Sequence, residues 1–470
     1  MKRVFLLFVF FAFYACGGGG SGSSGAEDNE RPDTLITNLG LLDDPTSETT
    51  RTYQFTCSDG PVPNSNCTYQ CRFNGGPWGE CSSPETYEPL TLGSYLFEVV
   101  ATDLSGNTDL SPASDSWSVV PLWSQEILDS ADPWEHMWTN LTFDNNDNAH
   151  IVLYNDVATS VNHVYKNLMD DTWNEVAIDF SGDVGGWPSS VFDGVNLHVF
   201  YHDFDNADLK HAERDVMGNW SVNGPAGYTG LANNTGKFSS AALNTVNGSV
   251  YAAFQWDADA SCLLNACKDE IRYTGTPLWE SPVIKVQSST NTSQMGDGLS
   301  LIFVGGDEHI AFHHAGTLWF LDDASELTVI DDVSSVGTSP SLGYDADNSR
   351  FYVAYWAQNK IKIASSATNG VSWETFIFGD GQSDFAGIDM KIDNGTVHVC
   401  WTNPVSPSQL LYRSGTWDNW NVEEVVDTNV DPDTEFSYCS IDTDSSGVIK
   451  ISYVESNSTD SHLKLATRGS

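Results

Sequence analysis

The sequence predicts an all-β protein, a small β-sandwich followed by a seven-bladed β-propeller closed by strands from both ends of the repeat region. Three observations predict it. Sixteen Trp, 17 Tyr and 39 Gly among 470 residues favour strands and turns over long helices, which want Ala, Leu, Glu and Lys. Residues 34–120 alternate apolar and polar between turn residues, as in Tyr95-Leu96-Phe97-Glu98-Val99-Val100-Ala101. From Trp123 onward one four-strand unit recurs at a period of about 50 residues, the spacing of propeller blades.

The N-terminus reads as an export signal. Lys2 and Arg3 precede an apolar stretch from Val4 to Ala15, too short for a bilayer, which needs about 20 residues. The stretch ends in Phe13-Tyr14-Ala15-Cys16, followed by Gly and Ser through Gly25. This resembles the bacterial lipoprotein signal, in which a small residue precedes a Cys that is lipidated and becomes the new N-terminus. Residues 1–16 are then the signal with lipidated Cys16, and residues 17–33 a flexible tether. The resemblance implies an exported protein anchored by lipid at the outer membrane or cell surface of a bacterium. An ordinary signal peptide with an incidental Cys is the alternative. Lys and Arg number 20 against 64 Asp and Glu, a net charge of −44, which repels phosphate backbones and excludes nucleic acid as a partner.

Nine Cys are present. Without Cys16 the remaining eight are even in number, as an exported disulfide framework requires. They fall in local pairs, Cys57 with Cys67, Cys71 with Cys81 and Cys262 with Cys267, leaving Cys400 and Cys439 for each other. Spacing does not fix connectivity, and the first four alone allow three pairings. No zinc spacing is present.

Residues 34–120 read as short antiparallel strands. Cys71-Arg72-Phe73-Asn74-Gly75-Gly76, Cys81-Ser82-Ser83-Pro84, Ala101-Thr102-Asp103 and Gly106-Asn107-Thr108-Asp109 resemble a bacterial Ig-like module of surface proteins. That resemblance implies a Cys71–Cys81 disulfide and a spacer or adhesive role.

Residues 123–470 hold the seven repeats. First strands end at sequences such as Leu141-Thr142-Phe143-Asp144 and Cys439-Ser440-Ile441-Asp442. Second strands read His150-Ile151-Val152-Leu153-Tyr154, His198-Val199-Phe200-Tyr201, and so on to Ile449-Lys450-Ile451-Ser452-Tyr453. The seventh copy lacks a fourth strand. Trp123-Ser124-Gln125-Glu126-Ile127 matches it and would close the ring, removing the open edge. Ser366-Ala367-Thr368-Asn369-Gly370-Val371-Ser372-Trp373 resembles the Asp-box turn of sialidase-like propellers, with Thr368 in the place of the Asp. The resemblance implies fold more than activity.

No catalytic set emerges. A sialidase needs several Arg converging on the substrate carboxylate, and the repeats hold only Arg214, Arg272, Arg350, Arg413 and Arg468, at scattered positions. His150, His198, His309 and His398 share one repeat register, which predicts packing spread around a ring and no metal site. The recurrent Asp144, Asp193, Asp345, Asp393 and Asp442 cap their own turns. Calcium at Asp144-Asn145-Asn146-Asp147 or Asp442-Thr443-Asp444 would lack a full ligand loop, so no cofactor is expected.

The remaining signal is aromatic. First-strand starts offer Trp134, His136, Trp138, Trp187, Phe238, Phe385 and Phe436 to one rim of the central channel. Second-strand exits add His202, Asp203, Trp256, Asp257, His313, Trp356 and Trp401. Aromatic planes with polar neighbours suit sugar faces and hydroxyls. The expectation is a surface-anchored lipoprotein whose propeller binds an extracellular glycan or protein. A sialidase-like glycoside hydrolase and a structural envelope protein are the alternatives.

Overall fold

A computed structural model describes residues 29–42, 46–59, 62–63, 66–119, 122–128, 137–167, 172–223, 234–257, 269–275, 282–287, 295–333, 336–381, 387–403, 407–429, 431, 433–457 and 460–469. Cys16, the Gly/Ser stretch, Cys262 and Cys267 lie outside them. The chain is all-β and divides into two compact units, Met1–Val120 and Pro121–Ser470. No helix among the described residues is long and apolar enough to cross a membrane.

In the first unit, strands Gly79–Cys81, Thr68–Phe73, Gly93–Thr102 and Ala113–Val119 form one sheet. Asp33–Ile36, Phe55–Asp59 and Val62–Pro63 form a second, and Arg51–Tyr53 pairs with Glu85–Tyr87. Alternating side chains from all three meet in one core around Ile36, Tyr53, Phe97 and Trp117. Arg51 is buried there because it is paired. Asp115 accepts from it at 2.9 Å and also from the Tyr53 hydroxyl at 2.8 Å. Disulfides Cys57–Cys67 and Cys71–Cys81 brace this small core.

Among the described residues the second unit contains seven antiparallel sheets. Their first strands are Met137–Phe143, Val184–Phe192, Asn234–Asn244, Met295–Val304, Val336–Asp345, Ile388–Asp393 and Glu435–Thr443, here inner strands one to seven. The seventh sheet takes its fourth strand from the start of the unit. Trp123–Ile127 pairs with Ser461–Arg468, Trp123 opposite Arg468. Second strands are covered on both faces by neighbouring sheets. Ala149–Asn155 and Leu197–Asp203 are buried at every position, which explains their near-continuous apolar sequence. The fourth strand Thr172–Asp179 is mostly open to solvent.

One hydrogen bond recurs between every pair of adjacent inner strands. The amide of Ser190 donates to the Asn140 side chain, Ala241 to Ser189, Leu301 to Ser240, Leu342 to Ser300, Met390 to Ser341, Ile441 to Asp389 and Leu141 to Ser440. The last of these joins the seventh inner strand to the first, so the cycle has no gap. Each bond satisfies an amide that the antiparallel ladder leaves unpaired, beside a register shift in every inner strand but the sixth, where a short polar side chain reaches it. The sixth and seventh sheets are also joined covalently, by Cys400–Cys439.

The Asp-box-like turn is structural. Thr368 Oγ1 accepts from the Ser372 amide at 2.9 Å, Ser366 Oγ accepts from Gly370, and the Trp373 indole donates to the Gly370 carbonyl. A hydroxyl thus does at Thr368 what a carboxylate would do. The recurrent Asp residues likewise accept from their own turns, as Asp144 does from the amides of Asn146 and Asn148.

Candidate functional site

Two residues before its linking side chain, every inner strand but the sixth shifts register, and the sixth begins just after that position, at Ile388. At that position stand Trp138, Trp187, Phe238, Gly298, Ser339, Gly387 and Tyr438. All seven line a single cavity of about 200 Å³. Trp138, Trp187, Phe238, Ser339 and Tyr438 hold left-handed backbone there, with φ between 47° and 53°. Bulky residues avoid that region, at a cost of about 1–3 kcal/mol each. Strain repeated around one cavity is the kind that function maintains.

The ring of seven is lopsided. Four consecutive sheets, the seventh, first, second and third, contribute aromatics. The next three contribute Gly298, Ser339 and Gly387. Trp187 contacts Trp138 and Phe238 with ring centroids 4.8 Å away in both cases, and Tyr438 lies 6.0 Å from Trp138. Behind this crescent stands Phe204, 5.6 Å from Trp187, with the His202 ring edge-on to it at 4.9 Å. Phe204 reaches that place because residue 186 is glycine. A Cβ on Gly186 would sit 2.5 Å from the Phe204 ring.

The cavity wall is electrically quiet. Among the described residues that line it, none carries a charge. Thr139 Oγ1 donates to the Tyr438 carbonyl and Ser239 Oγ to the Trp187 carbonyl, so both hydroxyls are engaged. Ser339, on the open side of the crescent, and Tyr438 supply the other side-chain hydroxyls of the wall. Burial pushes the Tyr438 hydroxyl above its ordinary range, and Asp156 adds to the shift. Tyr438 therefore stays neutral.

The arginines lie elsewhere. Arg272 bonds Glu270 over the Trp256 ring, Arg468 pairs with Glu424 over Tyr412, and Arg413 donates to the carbonyls of Phe378 and Asn421. Arg214 lies over Tyr165, and Arg350 over Trp417.

Of the aromatic residues that sequence offers, Trp138, Trp187 and Phe238 come together, with His202 behind them. The others do not. Phe436 is buried beneath the rim against Tyr453, because the bulge moves the lining position to Tyr438. Trp356 and Trp401 fill the core between the fifth and sixth sheets, and Trp256 packs under Arg272. Asp203 accepts from Asn206 in its own turn and faces Lys210 at 3.5 Å. His313 Nε2 accepts from the Gly316 amide in a hairpin. Trp134, His136 and Phe385, and the Asp257 side chain, lie outside the described residues. Sequence reading missed Tyr438, Gly298, Ser339 and Gly387. Counting back two residues from Ser300, Ser341, Asp389 and Ser440 would have found all four.

No protein-family model matches the sequence, and no curated protein matches it. Among solved structures, the chain is similar to a protein of unknown function from Dyadobacter fermentans. Identity there is 10%, over 74% of this chain and 99% of that one, with a TM-score of 0.44. It is similar to a Trypanosoma rangeli sialidase in complex with sialic acid, at 11% identity, 74% and 59% coverage and a TM-score of 0.40. It is also similar to the SapL1 lectin in complex with alpha methyl fucoside, at 14%, 64% and 99%, and 0.41. At these values the likeness assigns neither activity nor ligand.

Proposed function

We propose that the second unit is a seven-bladed propeller whose axial cavity binds a neutral saccharide. The observation that carries this reading is the aromatic crescent of Tyr438, Trp138, Trp187 and Phe238 around an uncharged wall. Aromatic faces pack against the C–H faces of a sugar, while a hydroxyl and backbone groups take its hydroxyls. A cavity of about 200 Å³ is below the ~300–1,000 Å³ of drug-sized sites and suits one sugar ring. Anionic sugars fit poorly, since no cation lines the wall among the described residues and the chain carries −44.

The same reading makes the first unit an Ig-like spacer and the protein a lipoprotein, anchored at Cys16 and exposed at a bacterial surface. The three disulfides among the described residues suit an exported protein. A glycan array probed with residues 34–470 tests the binding. Signals on neutral glycans that vanish with Trp187→Ala are expected. Signals confined to sialylated or sulfated glycans, or indifferent to that substitution, would refute it. For the anchor, Cys16→Ser should move the protein out of the membrane fraction.

A further inference from the structure

At the far end of the second inner strand from the cavity, two buried histidines share a hydrogen bond. His198 Nδ1 lies 3.0 Å from His211 Nε2. His198 is directly opposite Glu213 across the strand pair, and His211 is two residues from Glu213 on the same face. We infer that His198, His211 and Glu213 form a binding site for a divalent transition-metal ion, zinc by its donor set. One donor atom from each residue lies within 4.8 Å of the others. Modest closure would bring the carboxylate into a shell in which the two ring nitrogens already stand close to ligand spacing. Two imidazoles and one carboxylate, with a fourth position left to water, is a donor set that zinc accepts.

The surroundings fit a ligand set. Asp193 Oδ2 lies 3.2 Å from His198 Nε2, so that nitrogen carries the proton and His198 Nδ1 presents a lone pair. His211 Nε2 is then the donor in the shared bond. A cation between the rings replaces that proton, which moves to His211 Nδ1, so the tautomer changes and no proton is lost. Burial favours the uncharged His211 ring, and neutral imidazole is the ligating form.

The repeat supplies its own control. In the first sheet His150 and His163 make the same pair at 2.9 Å, with Asp144 behind it. There the residue opposite His150 is Tyr165, and Arg214 lies over that ring. The first pair thus has the hydrogen bond without the third ligand, and a cation faces it.

Full-length mature protein stripped with a chelator and titrated with Co(II) tests the site. One equivalent should bind with visible absorption bands and be displaced by Zn(II). Zn(II), and neither Mg(II) nor Ca(II), should raise the melting temperature. Glu213→Gln should weaken binding at least about tenfold, whereas His163→Asn should leave it unchanged. If His198→Asn does not fold, imidazole NMR resonances decide, because Zn(II) should shift His198 and His211 and spare His150 and His163. Absence of stoichiometric binding, indifference to Glu213→Gln, or equal shifts at both pairs would overturn the assignment.

Discussion

At residues 138, 187, 238 and 438 an aromatic side chain sits on left-handed backbone, a conformation that L-residues pay about 1–2 kcal/mol to adopt. Trp187→Gly removes that strain and Trp187→Ala keeps it. Both delete the ring that touches Trp138 and Phe238. The glycine variant should therefore be more stable than the alanine variant by up to about 1 kcal/mol, while both lose sugar binding by about tenfold or more, near 1.4 kcal/mol. Thermal melting and calorimetric titration check the two halves separately. Asp389 is the other special residue, a carboxylate where five of the linking positions have Ser. Its two oxygens accept from the amides of Met390 and Ile441 and from the hydroxyls of Ser341 and Ser440. Burial raises its carboxyl above the usual range, partly offset by these donors. The folded state thus holds the Asp389 proton more tightly than the unfolded one. The stability this contributes is full below the unfolded value, about 3.9, and is lost as pH rises through the folded value. Wild type should gain stability relative to Asp389→Asn as pH falls from 7 toward 4. Denaturation midpoints that move in parallel for the two proteins would contradict this.

The strands and their order were legible because their causes are local. Period-two alternation marks the first unit, and buried second strands read as continuous apolar runs. The repeat spacing separated the sheets, and the match of Trp123–Ile127 to a missing strand located the join to Ser461–Arg468. What sequence did not reveal depends on neighbours brought close by folding. Trp356 and Trp401 look like rim residues in sequence and are core, because adjacent sheets cover both faces of the second strands. His163 and His211, on third strands, pair with the histidines of the second strands, and nothing in single-strand periodicity announces that. A further recurring triad joins neighbouring sheets. Tyr201 with Lys210 reaches Asp179, Tyr355 with Lys362 reaches Asp331, and Tyr453 with Lys464 reaches Asp427. Burial pushes the Asp331 carboxyl up, but Lys362 and Tyr355 more than offset it and hold it below its ordinary value. Close approach also explains Gly387. A Cβ there would stand 2.5 Å from the Cys439 amide nitrogen and 2.7 Å from Tyr438. Gly387→Ala should cost about 1–3 kcal/mol in the denaturant midpoint, and an unchanged midpoint would show that the sixth and seventh sheets meet more loosely.

Seven equivalent amide-to-side-chain bonds link the first strands of the seven sheets in a cycle, and in the propeller proposed above all the repeats share one axis. Equal repeats would make that axis symmetric. Here four of the seven axial positions are aromatic and three are Gly or Ser, so the ring breaks its own symmetry at the cavity. One ligand lying against one side of the axis follows from that arrangement, with Ser339 opposite the crescent. The sequence carried three of the four aromatics, Trp138, Trp187 and Phe238, and missed Tyr438. It hid the small half, since Gly298, Ser339 and Gly387 look like ordinary turn residues until the ring closes. The most direct test is a crystal structure of residues 34–470 with the neutral glycan that binds best on the array. One sugar ring should lie in the axial cavity against Trp138 and Trp187, with a hydroxyl directed to Ser339. A sugar bound on an outer loop with the axial cavity holding only water would contradict the account.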